Sequence, residues 1–220
     1  MRQLGSITYA AIVCAGFALS GCMSIPDSQT PRFYMLQPLK QEEVKQKFDV
    51  TPNMIVAIGP VRIPEYQNRP QMVTQNREKR ISFAQFDRWG ESLDLSLARL
   101  LIEDLTLLLP GVSFEMFPCN FAIPLKYQVI IDVTKLDSQL DEDLVFAAQW
   151  SIIDIEFKKM VLTKRSEFRQ PIQPRNYSGL AKTLSAACAL LSNEIAGEIS
   201  LLASHSEKPW PEASAGTAAQ

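Results

Sequence analysis

The stretch SLDLSLARLLIEDLTLLL, residues 92–109, spaces Leu93, Leu97, Leu100, Leu101, Leu105 and Leu108 three and four positions apart. That spacing gathers them on one face of a helix, as a stripe wide enough to need a second layer over it. Ser92 can cap the start, and Pro110-Gly111 ends the run, because proline brings no amide hydrogen for another helical turn. A second helix is predicted over about Ser178 to Ala203, with Leu180, Leu184, Ala187, Cys188, Leu191, Ile195 and Leu202 on one face. Neither helix can bury its stripe alone, so both require a sheet or each other.

The strands that could supply that sheet are legible between them. Phe33–Gln37 reads as a first strand, and the charged stretch QEEVKQKFD after it as a loop or short helix. Asn53–Ile63 is rich in Ile and Val, with Gly59-Pro60 marking a bend or an edge. Pro64–Pro70 reads as a turn, followed by a strand pair over Gln71–Gln75 and Arg80–Gln85. In the second half, Leu125–Leu136 alternates, with Tyr127, Val129, Ile131 and Val133 on one face. The polar turn Asp137–Asp143 leads to a long strand, Leu144–Phe157, and Lys158-Lys159 turns the chain into Met160–Phe168. Each half is therefore strands followed by one long helix. The expected body is a single α/β (α+β) domain: a mixed, largely antiparallel sheet with two long helices packed on one face.

The length of 220 residues suits one such domain with appendages. Charge is nearly balanced, with 22 basic and 24 acidic residues and a net of −2. That leaves no basic face to neutralise nucleic-acid phosphates. The single histidine, His205, falls in the predicted tail, which argues against a Ser-His-Asp triad and against metal sites built on histidine pairs. Asp137, Asp141, Glu142 and Asp143 share a turn but lack the glycine and terminal glutamate of a calcium loop. Asp87, Glu91 and Asp94 sit before or within the first helical turn, where acids suit the helix dipole. No metal, cofactor or catalytic residue is expected, and the chain reads as a non-enzyme. The alternative is an anchored hydrolase acting on cell-wall or lipid substrates through a carboxylate or Ser-Lys site.

The N-terminus decides where such a body would work. Arg2 precedes an uncharged, mostly apolar run from Ile7 to Leu19, too short to span a hydrocarbon core. It reads as a secretory signal segment. Leu19-Ser20-Gly21-Cys22 behind it resembles the lipobox of bacterial lipoproteins. That resemblance implies cleavage before Cys22 and acylation of its thiol and new α-amine, an attachment by three acyl chains. Met23, rather than Asp, at the next position implies sorting to the outer membrane, with the body on the periplasmic face. The layout is then a signal peptide over 1–21, a lipidated tether over 22–32, the folded domain over 33–203 and a disordered tail over 204–220. Fully extended, the tether reaches about 35 Å. Cys119 and Cys188 lie in a compartment that permits disulfides, yet Cys188 falls on an apolar helix face where a buried inert thiol is common. Both readings stay open.

Two stretches are distinctive. One is Ile58-Gly59-Pro60-Val61-Arg62-Ile63-Pro64-Glu65-Tyr66-Gln67-Asn68-Arg69-Pro70-Gln71-Met72-Val73, and the other is Phe86-Asp87-Arg88-Trp89-Gly90-Glu91-Ser92-Leu93. In this order and behind a lipobox they resemble the PqiC/YmbA-type auxiliary lipoproteins of ABC-type transport systems, over roughly residues 33–203. The chain departs from the usual family form at Gly90, where alanine is common. The resemblance implies an outer-membrane lipoprotein of a lipid-transport system that maintains envelope integrity. Its implied partners are an MCE-domain (PqiB-type) protein and associated inner-membrane transport components, with the membrane reached through the anchor. A homo-oligomer is a further expectation. Tyr66, Arg69 and Trp89 are the candidate partner-binding residues, because aromatic and arginine side chains dominate interface hot spots.

Overall fold

The computed structural model describes residues 29–50, 54–119 and 124–206, with residues 205 and 206 described through their backbone only. Cys22, the signal segment and residues 207–220 of the expected tail lie outside the described residues.

The strands fall into two sheets rather than one. β2 (Met54–Arg62), β5 (Val112–Met116), β6 (Tyr127–Ser138), β7 (Asp143–Asp154) and β8 (Lys159–Pro171) form the larger, in the order β5-β2-β6-β7-β8. β1 (Arg32–Tyr34), β3 (Gln71–Gln75) and β4 (Ile81–Trp89) form the smaller, in the order β1-β4-β3. β2 runs parallel to both neighbours, while β6, β7 and β8 form an antiparallel meander. Helices α1 (Leu93–Leu108) and α2 (Tyr177–Ser206) pack on each other and on one face of the larger sheet. α2 continues three residues past the predicted end, so the backbone at His205 is helical rather than tail.

The core lies between that sheet face and the helix pair. From the sheet come Tyr127, Val129, Ile131, Phe146, Trp150 and Ile152, none more than 2% exposed. All six leucines of the predicted α1 stripe are buried against them. The alternation in β6 breaks parity between Val133 and Leu136. A register shift there adds one residue and turns Leu136 back into the core. Trp150 is fully buried, and its indole N–H donates to Ser166 Oγ at 3.0 Å, whose hydroxyl donates to Glu194 of α2. By length and composition α2 could cross a membrane. Here Leu184, Ala187, Leu191, Ile195 and Ile199 face the core, so it is a core helix.

α2 starts where its sequence forces it to. Asn176 accepts the Gly179 N–H on its side chain at 2.9 Å and the Leu180 N–H on its carbonyl, capping the first turn. A Cβ on Gly179 would stand 1.8 Å from the Pro174 carbonyl oxygen, so only glycine fits this entry. Ser92, the predicted cap of α1, uses only its carbonyl, which accepts from Ser96 N–H. β5 is absent from the sequence-based expectation, being five residues with a weak alternation, VSFEM.

Residues 35–50 form a strap across both helices. Gln37 N–H donates to Ser185 Oγ, Leu39 N–H to Asp104 Oδ1 at 2.7 Å, and Phe48 N–H to the Leu108 carbonyl. Asp104 is fully buried in α1 and also meets Ser192 Oγ of α2 at 3.0 Å. That hydroxyl has one proton and a second acceptor, the Cys188 carbonyl, also at 3.0 Å. Burial pushes the Asp104 carboxyl up to about 6, against the lowering effect of its two hydrogen bonds. Cys188 and Cys119 are free thiols, and burial raises the Cys188 thiol far enough to keep it protonated and inert.

An acid raised in the folded state is stabilising below its unfolded value and costly above its folded one. From an unfolded value near 4, Asp104 removes stability as pH rises through about 6. Asp104→Asn should therefore raise the melting temperature at pH 7.5 and lose that advantage by pH 4.5, read by thermal melts of both proteins across this range. A deficit that stays constant with pH would show that the carboxylate is needed in its charged form.

Candidate functional site

The smaller sheet carries a groove beside β1, its first strand. β1 is only three residues long, and a buried carboxylate holds it in place. Arg32 Nε and Nη2 each donate to Asp87 at 2.9 Å, and the Tyr34 hydroxyl donates to Asp87 Oδ1 at 2.7 Å. Burial alone would raise the Asp87 carboxyl, but the bonds from Arg32 and Tyr34 outweigh it and hold the group below the ordinary aspartate value. A depressed acid stabilises the fold above its unfolded value and loses that contribution as pH falls through the folded one, so this clamp weakens only in acid. Asp87 is thus a structural anchor for β1, the role it fills instead of completing a helix dipole.

Once β1 is clamped, a groove of 370 Å³ opens, lined by Phe33, Asn68, Arg69, Pro70, Trp89, Gly90, Glu91 and Ser92. Trp89 N–H donates to the Pro70 carbonyl and Gly90 N–H to the Tyr34 carbonyl, both at 2.8 Å. These bonds join the two sequence motifs into one site. The Arg69 guanidinium stacks on the Phe83 ring, 3.9 Å from its centroid. Trp89 is 5% exposed, and its indole Nε1 has no acceptor among the described residues. Arg69 Nε and Arg88 Nε are buried without acceptors in the same way. Glu91 is already engaged, by Arg99 at 2.9 Å and Ser96 at 3.0 Å.

Of the three candidate binding residues, the structure brings Arg69 and Trp89 together and sets Tyr66 apart. The Tyr66 hydroxyl points to Asp137 Oδ1 at 3.4 Å, beside Gln75 and Lys79, which bind the same carboxylate. Burial and the charge of Asp137 raise the Tyr66 phenol. This cluster ties the turn before β3 to the end of β6, together with Gln67 Nε2 donating to the Leu136 carbonyl. The acidic turn after β6 is likewise spent on pairs: Glu142 with Arg77 and Asp143 with Arg169. Among the described residues no three His, Cys, Asp or Glu side chains gather to hold a metal. Phe33 is a groove residue that sequence reasoning missed, and Arg88 pairs beside it. Arg88 stood inside the RWGESL motif, but β1 reaches it only through a parallel pairing across 55 positions, Phe33 opposite Arg88.

Gly90 sits under Met35, where a Cβ would fall 2.5 Å from the sulfur. Met35 is 51% exposed, and its thioether can swing away. Gly90→Ala should therefore change unfolding stability by less than about 1 kcal/mol, since the stiffer unfolded chain offsets the local crowding. Chemical denaturation checks this, and a loss of several kcal/mol would show that Met35 is fixed in place.

The family model for the ABC-type transport auxiliary lipoprotein component matches residues 34–196. No curated protein sequence matches the chain. A crystal structure of an uncharacterized protein is similar over 78% of this chain and 99% of its own, with 20% identity and a TM-score of 0.63. A Xanthomonas campestris protein is similar over 80% of this chain and 98% of its own, with 11% identity and a TM-score of 0.60. At such identities these two structures speak for the fold alone. The matched segment runs from Tyr34, the end of the strand that Asp87 clamps, to Ala196 within α2, and the chain belongs to the ABC-type transport auxiliary lipoprotein family.

Proposed function

We propose that this protein is a non-catalytic auxiliary component of an envelope lipid-transport system, held by acylated Cys22 at the periplasmic face of the outer membrane. The observation that carries the reading is the family match over residues 34–196 directly behind Leu19-Ser20-Gly21-Cys22. The chemistry of the body supports it. The carboxylates that could have served a hydrolase are committed elsewhere: Asp87 to Arg32 and Tyr34, Glu91 to Arg99 and Ser96. The partners are an MCE-domain (PqiB-type) protein and associated inner-membrane transport components, with self-association into a homo-oligomer as one way to present several bodies to one conduit. Arg69 and Trp89 form the interaction site of the body, and Tyr66 supports it from the β6 side.

Metabolic labelling with palmitate tests the anchor. The full chain should take up label and fractionate with the outer membrane, and Cys22→Ala should lose both. Crosslinking in intact cells should then recover an MCE-domain protein with the wild-type chain. Unlabelled wild-type protein would contradict the anchor, and recovery of no such partner would contradict the assigned system.

A further inference from the structure

We propose that the groove end of the small sheet is a second membrane contact, where Arg69 and Trp89 in the groove, with Arg88 next to Phe33, receive the phosphate of an anionic phospholipid headgroup at the bilayer that holds Cys22. The proposal rests on the anchor reading above and names the occupant of the Arg69–Trp89 site.

Exposed apolar side chains surround the groove. Phe33 is 65% exposed, Met35 51% and Phe83 50%. Phe33 lines the groove, Met35 lies over Gly90 in its floor, and Phe83 carries the stacked Arg69. Single exposed apolar residues are ordinary, but three around one cleft make a patch that asks for a partner.

Beside the acceptors Asn68, Glu91 and Ser92 in the lining, three donors in and next to the patch want an acceptor. Arg69 and Arg88 form no ion pair among the described residues, and the Trp89 Nε1 hydrogen is buried unmet. Leaving such donors unsatisfied is costly, and a phosphate oxygen is the acceptor that suits a guanidinium fork. The neighbouring acids do not compensate them, because Asp87 and Glu91 already have arginine partners of their own. Aromatic rings with polar edges, flanked by arginine, are the side chains that settle at headgroup level.

Geometry selects the bilayer as the source of that phosphate. β1 begins at Arg32, ten residues after Cys22, which an extended chain spans in about 35 Å. The larger sheet is oriented by β7, whose twelve residues extend about 40 Å from the small-sheet end to the hairpin at Phe157. The patch therefore sits at the tethered end of the body, and the 71%-exposed Phe157 sits at the far end.

Flotation tests this with residues 31–220, which hold every residue of the hydrophobic core and so fold without the leader. Vesicles of phosphatidylglycerol with phosphatidylethanolamine should carry the body up, and phosphatidylcholine vesicles should not. The Arg69→Gln/Arg88→Gln double variant should lower that partition about tenfold or more, and Phe33→Ser should lower it several-fold. Phe157→Ser should leave it unchanged, with thermal melts confirming that each variant is folded. Flotation of the folded double variant at the wild-type level would overturn the proposal, as would equal binding to both vesicle types. Stabilisation by inorganic phosphate without vesicle binding would assign the groove to a free anion instead. A photoreactive residue at position 33 that captures protein and not lipid in cells would assign it to a protein partner. Palmitate labelling reads the anchor separately, so labelled protein whose body does not float would reject this contact and leave the anchor standing.

Discussion

The burial of two helix stripes on the β6–β7 ladder is the constraint from which the rest follows. Trp150, Phe146 and Ile152 supply one wall and the α1 leucines and Leu184, Leu191 and Ile195 the other, all within 2% of full burial. Side chains of this size contribute about 1.5–3 kcal/mol each when removed from water. With the helix pair fixed, the strap of residues 35–50 has a surface to lie on, and Asp104 joins strap, α1 and α2 at one buried point. The same packing excludes the reading of α2 as a membrane span, since its apolar face is already covered.

The small sheet is built on a different principle. It has little core of its own and is held by polar links: the Arg32–Asp87–Tyr34 clamp on one side and the Asp137 cluster, with Ser138 Oγ donating to the Val73 carbonyl, on the other. A sheet tied at its rims in this way leaves the end at Phe33, Pro70 and Trp89 open, and the groove lies there. Membership of the auxiliary lipoprotein family gives that openness a setting in a transport system.

Much of this was legible in the sequence. The leucine spacing gave α1 to within a residue, and the alternation of Tyr127, Val129, Ile131 and Val133 gave the core face of β6. The two motifs also pointed to the groove, since Arg69 and Trp89 meet there. The division into two sheets was not legible. It depends on β2 pairing with β5 and β6 on either side, contacts that local pattern does not encode. That Tyr66 lies outside the groove was not legible for a related reason. Its neighbours in sequence line the groove, but a turn sends its side chain to Asp137, 71 positions away. Asp87 looked like a helix-start acid until the register of β1 brought Arg32 opposite it.

The polarity of the body is the claim that joins fold to function, and depth measurement on the acylated protein tests it most directly. Spin labels at position 33 and at position 157 of the full chain, reconstituted in vesicles, report accessibility to lipid-soluble and water-soluble quenchers. The label at 33 should sit at headgroup depth and the label at 157 in bulk water, about 40 Å away along the sheet. A label at 157 in the bilayer, or both labels in bulk water, would contradict it.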